Sequence, residues 1–322
     1  MSKTVWEATT SRRASSDQAQ GEPFQAGSSL GAFLGSRPPG PQPPGRPLPL
    51  GWAHLIRLNL RAAWGRAYVR VIGANRELSW VFFEILLPIL GTAAYVFIYR
   101  AMHAPPAYTG FVILGGAMTA YWTDVLWSMA SQLYWEKESS NLEAFFIAPC
   151  SRMAILAGMA VGGAFRSTLR AAAILFLGSA IFGVRLPPAN PLLLAGVFLL
   201  TLGALYGLGM TLASVYLVWG REAWHISTLL QEPVYLAAGL YFPVRALGGI
   251  GAGLASLIPL TLGLDAMRQL FYGAQAWGFL TVPAEMGLLA GQAILMLVLA
   301  KVSLDHMERL AKQEGRLTLK WQ

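Results

Sequence analysis

Arg166 and Arg170 sit four residues apart within an apolar run that reaches from Met153 to Val184. A helix places residues four apart on one face, so the two guanidiniums project together from a segment long enough to cross a membrane. Glu84, Asp124 and Glu232 interrupt three other apolar runs. A charge at the centre of a membrane helix costs about 2.5–3.5 kcal/mol and persists where it pairs or meets a hydrated path. Two readings follow. Either these five groups line or gate a translocation route, or Arg166 and Arg170 snorkel toward the headgroups and the charges are structural. Gln231-Glu232-Pro233 places an acid beside a helix breaker, as a gating kink or as a packed one.

Other chemistries are excluded by what the residues do not form. The lysines are Lys3, Lys137, Lys301, Lys312 and Lys320, and none ends a G-x-x-x-x-G-K run. Without that phosphate cradle the chain is not a Walker-type ATPase. His54, His103, His225 and His306 make no H-x-x-x-H pair. The one E-x-x-H, Glu222 with His225, lacks the second motif and the extra glutamates of a di-metal bundle. No metal site or cofactor is expected in this chain. Cys150 is the single cysteine, so no intrachain disulfide exists.

Composition names the environment. Of 322 residues, 55% are hydrophobic and 12% charged, against about 25% charged in a soluble domain. An all-α membrane protein is therefore expected, with spans at about 78–99, 108–133, 153–184, 191–219, 224–241 and 282–302. The apolar pieces within 244–272, punctuated by Pro243 and Pro259, are each too short to span; a re-entrant hairpin fits them better than one further crossing. Residues 1–50 are rich in Ser, Gln, Gly and Pro and are expected to form a disordered tail rather than a cleaved signal. Residues 308–322 are expected to form a second tail.

Trp52 to Ile72 is amphipathic instead. Trp52, Ile56, Leu60, Ala63, Ala67 and Val71 recur at helical spacing, while Arg57, Arg61, Arg66 and Arg70 fall outside that stripe. The pattern fits a helix lying in the headgroup plane, meeting membrane lipids, or a soluble helix packed on a partner. The net charge of +8 is then explained by position, with no call for nucleic acid. Placing both termini in the cytoplasm leaves eighteen Lys/Arg inside and only Arg100, Arg185, Arg245 and Arg268 outside.

That orientation puts 136–149 in the cytoplasm, between spans two and three. It holds Glu136, Glu138 and Glu143 beside Leu142, Phe145 and Phe146; Asn141 is a candidate N-cap and Pro149 a stop. A short amphipathic helix with an acidic rim is a docking element. Gly158/Gly162 and Gly203/Gly207 have the spacing of close helix packing or of a dimer interface.

The order of these parts resembles the ABC-2 type transporter permeases, the membrane subunits of many bacterial ABC exporters. The likeness spans about Trp52 to Met307. It rests on WEKESSNLEAFFIAPCSRMAILAG and on LYFPVRALGGIGAGLASLIPLTLGLDAMRQLFYG, in which Asp265 stands three residues before Arg268. Ser139-Ser140-Asn141 and Gly248-Gly249 depart from the family's usual glycine, threonine and proline. The resemblance implies six spans, a coupling helix at 136–149 and a re-entrant pair before the last span. It further implies a second permease copy or a related permease, and two ATP-binding subunits that hold the ATP and magnesium. A drug, lipid or lipid-linked amphiphile is the expected cargo, with a glycan as the alternative, and the bacterial cytoplasmic membrane the expected site. An ion-coupled carrier and a membrane scaffold are the readings from other classes.

Overall fold

The computed structural model describes residues 52–74 and 78–313, so the proline-rich segment and most of the second expected tail lie outside the described residues. Eleven α-helices follow in order: α1 (Trp52–Ala74), α2 (Leu78–Ala101), α3 (Pro106–Thr123), α4 (Gln132–Glu138), α5 (Leu142–Ile147), α6 (Arg152–Phe182), α7 (Pro191–Trp219), α8 (Ala223–Ala237), α9 (Gly248–Ala255), α10 (Pro259–Tyr272) and α11 (Val282–Gln313). A π-helical turn, Asp124–Met129, lies between α3 and α4. No strand occurs among the described residues.

Local chemistry sets the helix ends. Pro106, Pro191 and Pro259 stand in the first turns of α3, α7 and α10, where a missing N–H costs nothing. Asn190 caps α7, its side chain accepting from the amides of Leu192 (3.0 Å) and Leu193 (3.3 Å).

Four stretches among the described residues are long and apolar enough to cross a membrane: Val81–Ala101, Arg152–Phe182, Pro191–Ala237, which joins α7 and α8, and Val282–Leu310. Their outer faces carry exposed Phe82, Leu87, Phe97, Phe176, Leu192 and Ile294, the surface of a protein solvated by lipid. α3 is the exception in apolarity. Every residue from Thr109 to Trp122 is buried, so α3 has no lipid face and tolerates Thr, Gly and Tyr.

Two expected boundaries shift. The fifth segment ends as a helix at Ala237, not Tyr241, because the chain turns at Gly239 (φ +69°). The last helix does not stop near residue 302. It continues to Gln313, and Glu308 is buried and paired with Arg152 at 2.6 Å, so 308–313 is helix rather than tail. The 244–272 region divides into a 3₁₀ turn (Val244–Leu247), α9 and α10.

α1 packs along α6 at backbone contact. A Cβ on Gly158 would collide with the Ala63 carbonyl, and one on Gly162 would press on Ala67 and Arg70. The Gly158/Gly162 pair therefore serves this intrachain crossing, while Gly207 faces Met296 of α11.

Candidate functional site: a buried charge ladder and its cavity

Asp124 opens the π-helical turn and is 1% exposed. Its Oδ1 accepts from Arg166 at 2.8 Å and Arg170 at 3.4 Å, with the Arg70 guanidinium at 3.6 Å. Tyr206 of α7 donates to Oδ2 at 2.9 Å. Arg170 also reaches Glu84 of α2 at 2.9 Å and Ser167 at 3.0 Å. One carboxylate thus ties together α1, α3, α6 and α7, and a second brings in α2.

The network continues down one face as a ladder, Asp124, Ser128, Gln132, Glu136. The wider π turn slows the rotation of the chain, so residues four apart stay nearly superposed across it. Arg70 donates to Ser128 and to Gln132, each at 2.7 Å, and Arg166 donates to Ser128 at 3.1 Å. Gln132 donates to Glu136 at 3.1 Å, and Arg66 closes the ladder through an ion pair with Glu136. Charge-assisted bonds in a low-dielectric interior are strong once every partner is in place.

This geometry corrects several sequence expectations. Arg166 and Arg170 do not snorkel; they turn inward and pair. Arg66 and Arg70 do not meet headgroups either, because packing on α6 aims them at the ladder; only Arg57 and Arg61 are exposed. The outward face of α1 carries Trp64, Tyr68 and Ile72 in place of the inner half of the expected stripe. Glu232 and Pro233 lie on an exposed face of α8 and join neither the cluster nor its cavity. Gln231 replaces Glu232 there, accepting from the Trp127 indole at 2.7 Å.

The 136–149 segment also differs from one displayed helix. Glu136 ends inside α4, buried and paired with Arg66, and Leu142 is buried in the core. Asn141 precedes α5 without a side-chain cap bond; its amide donates to the Glu136 carbonyl at 3.0 Å. Ala148, extended before Pro149, ends α5 as the proline demands. Glu138 is half-buried, Ile147 is 83% exposed, and Glu143 and Phe146 have side chains outside the described residues. α1 clamps the turn: Arg66 stacks on Phe145 at 4.7 Å, and Asn59 accepts from the Ser151 amide at 2.8 Å.

Beside the ladder lies a cavity of about 690 Å³, lined by Glu84, Asp124, Arg166 and Arg170 and by Phe83, Leu87, Trp127, Tyr235 and Tyr241. Its volume is that of a site for a drug-sized molecule.

In the 244–272 region, Arg268 is 1% exposed and donates to four carbonyls: Gly239 (2.5 Å), Leu240 (2.8 Å), Phe111 (3.0 Å) and Phe242 (3.1 Å). It satisfies the backbone freed where α8 ends. Asp265 accepts from the Phe279 amide at 2.7 Å, and Gln269 donates toward both Asp265 and Glu285. Pro243 starts the 3₁₀ turn and Pro259 starts α10.

Ser128, Gln132, Tyr206, Gln269 and Glu285 carry this chemistry unforeseen. For Ser128 and Gln132 the fourfold spacing from Asp124 to Glu136 was the available signal. Tyr206 and Glu285 meet their partners only across tertiary contacts.

Buried apolar helices wrapped around a charged core define a multi-pass membrane protein. The ABC-2 type transporter family model matches residues 62–272, more than half of the chain, and the chain belongs to that family. It is the membrane-spanning component of an ABC transporter, a family that works with an ATP-binding subunit and is not itself catalytic. No curated protein matches the chain.

Proposed function

We propose that this chain is the permease of an ATP-driven exporter moving a drug, lipid or lipid-linked amphiphile out of the cytoplasm or inner leaflet. Six segments cross the bacterial cytoplasmic membrane: α2, the α3–π–α4 run, α6, α7, α8 and α11. Both termini face the cytoplasm, and 244–272 is re-entrant from the outer side. Two permeases, identical or related, join two ATPase subunits.

The observation that carries this reading is the ladder. The cytoplasmic turn at 139–149 and the cavity are joined by one helical run, and each level of its polar stripe is gripped by an arginine of α1 or α6. A push by an ATPase on Ile147 and Glu138 bears directly on the Glu136–Arg66 pair. From there it reaches Asp124, which holds the cavity wall. Packed polar networks of this kind have discrete arrangements rather than continuous ones.

The test is co-purification from detergent-solubilised membranes of wild type, Ile147→Asp and Glu138→Lys. Wild type should retain an ATP-binding subunit with lipid-stimulated ATPase activity. Ile147→Asp should lose it at least tenfold while Tm stays unchanged, since that side chain touches solvent. Retention of the partner by both variants, or no partner with wild type, would sink the reading.

A further inference from the structure

A second cavity, of about 460 Å³, lies at the ends of α2, α3 and α6 that point away from the 139–149 turn. Arg100 of the last turn of α2, Ala107 at the start of α3, and Phe182 at the end of α6 line it. Arg185 of the link after α6 and Tyr272 at the end of α10 complete the wall. No acidic residue is among its lining. Asp265 and Glu285 of α10 and α11 are buried, engaged by Gln269 and the Phe279 amide, and do not line it either. Two guanidiniums thus face one space with no carboxylate against them. The helix ends do not change that sign. The start of α3 and the end of α6 bring dipole charges of about half a unit each, opposite in sign, so the arginines decide.

Both arginines are exposed residues of this wall, so an occupant can reach them. Arg100 is held in place: it donates to the Phe182 carbonyl at 2.7 Å and lies over the Phe182 ring at 5.7 Å. That contact uses one of a guanidinium's five N–H donors. Arg185 takes part in no hydrogen bond or ion pair among the described residues. Its backbone is nonetheless anchored. Gly183 ends α6 in a left-handed turn (φ +67°), and the next residue, Val184, packs on α3 at Gly110, where an added Cβ would lie 3.4 Å from it. A planar guanidinium suits phosphate oxygens in a two-bond fork. The volume lies in the range of sites for organic ligands, and Pro106, Phe182, Val184 and Tyr272 supply apolar wall for the rest of the molecule.

We propose that this cavity binds a phosphate monoester, its oxygens held between Arg100 and Arg185 and its organic group against Phe182 and Tyr272. Two unopposed guanidiniums match the charge of about −1.5 to −2 that such a group carries at pH 7. A carboxylate would leave one of them unmatched. A soluble organic phosphate and a lipid headed by a bare phosphate share this chemistry. In the orientation proposed above the cavity opens on the outer side, so its ligand arrives from there; the binding itself does not rest on the transport reading.

The test uses the purified full chain in dodecyl maltoside, without an ATPase. Calorimetry measures binding of phenyl phosphate, dihexanoylphosphatidate, benzoate and phenyltrimethylammonium. At least one of the two phosphates should bind at least about tenfold more tightly than benzoate, with the cation weakest. Arg185 has no partner to lose, so Arg185→Gln should keep the wild-type Tm and weaken phosphate binding at least about tenfold. Arg185→Lys, which keeps the charge without the fork, should fall between them. Arg221 is exposed on the turn between α7 and α8 and lies outside the cavity; Arg221→Gln should change nothing. Tighter binding of the phosphatidate would support the site with a lipid as its source, and tighter binding of phenyl phosphate would support it with a soluble one. Benzoate binding as tightly as either phosphate would overturn the phosphate assignment. Equal weakening in Arg185→Gln and Arg221→Gln, or no binding of either phosphate, would overturn the site. Because no ATPase is present, loss of the partner in co-purification and loss of this binding are separate failures.

Discussion

Asp124→Asn removes one charge and almost no volume, so its effect isolates the electrostatics of the cluster. Asp124 is the carboxylate shared by Arg70, Arg166 and Arg170. Arg170 keeps Glu84 after the substitution, whereas Arg70 and Arg166 keep only neutral partners, Gln132 and Ser128. The cluster's excess of guanidiniums over carboxylates rises from one to two. Breaking a buried pair by removing one partner costs about 3–5 kcal/mol, and the partial exposure of Arg166 places this case at about 3. At about 2–4 °C per kcal/mol for a chain of this size, Tm in detergent should fall by about 6–12 °C. The double variant Asp124→Asn/Arg166→Gln returns the excess to one. It should recover at least about 1 kcal/mol of the loss, a coupling expected of groups in one network. A fall of less than about 2 °C in the single variant, or no recovery in the double, would refute the charge argument, because either result means that solvent already screens the cluster.

Two further predictions concern the scaffold. Gly158→Leu drives a side chain into the Ala63 backbone and should lift α1 from α6, speeding tryptic cleavage at Arg57 and Arg61 at least about tenfold. Gly65→Leu, where an added Cβ meets nothing within 4 Å, is the control and should leave cleavage unchanged; equal rates in both would show that the crossing is not tight. Arg268→Lys keeps the charge but loses the planar fork that spans four carbonyls. Each carbonyl left unsatisfied costs about 1–3 kcal/mol, so Tm should fall on the order of 10 °C, and a wild-type Tm would show that a point charge suffices there.

The sequence by itself determined the solvent of this protein and most of its helix ends. Long apolar runs and sparse charge leave no soluble alternative, and Pro106, Asn190-Pro191 and Pro259 start helices by local chemistry that needs no partner. α7 runs over the very residues expected, 191–219, for that reason. Tertiary structure decided which face each charge serves. Spacing put Arg66 and Arg70 off the apolar stripe of α1, but only the contact of Ala63 and Ala67 with Gly158 and Gly162 turns them toward Glu136 and Asp124 rather than toward headgroups. Hydropathy gives 108–133 as a span like the others, and only the packing shows that α3 is buried from Thr109 to Trp122 and therefore free to carry polar residues. Glu232 and Gln231 are adjacent in the sequence, and only the rotation of α8 against the π turn chooses the amide for the cavity and leaves the acid outside. Pairing of this kind depends on the relative positions of five helices, and no window of sequence shorter than the fold contains them.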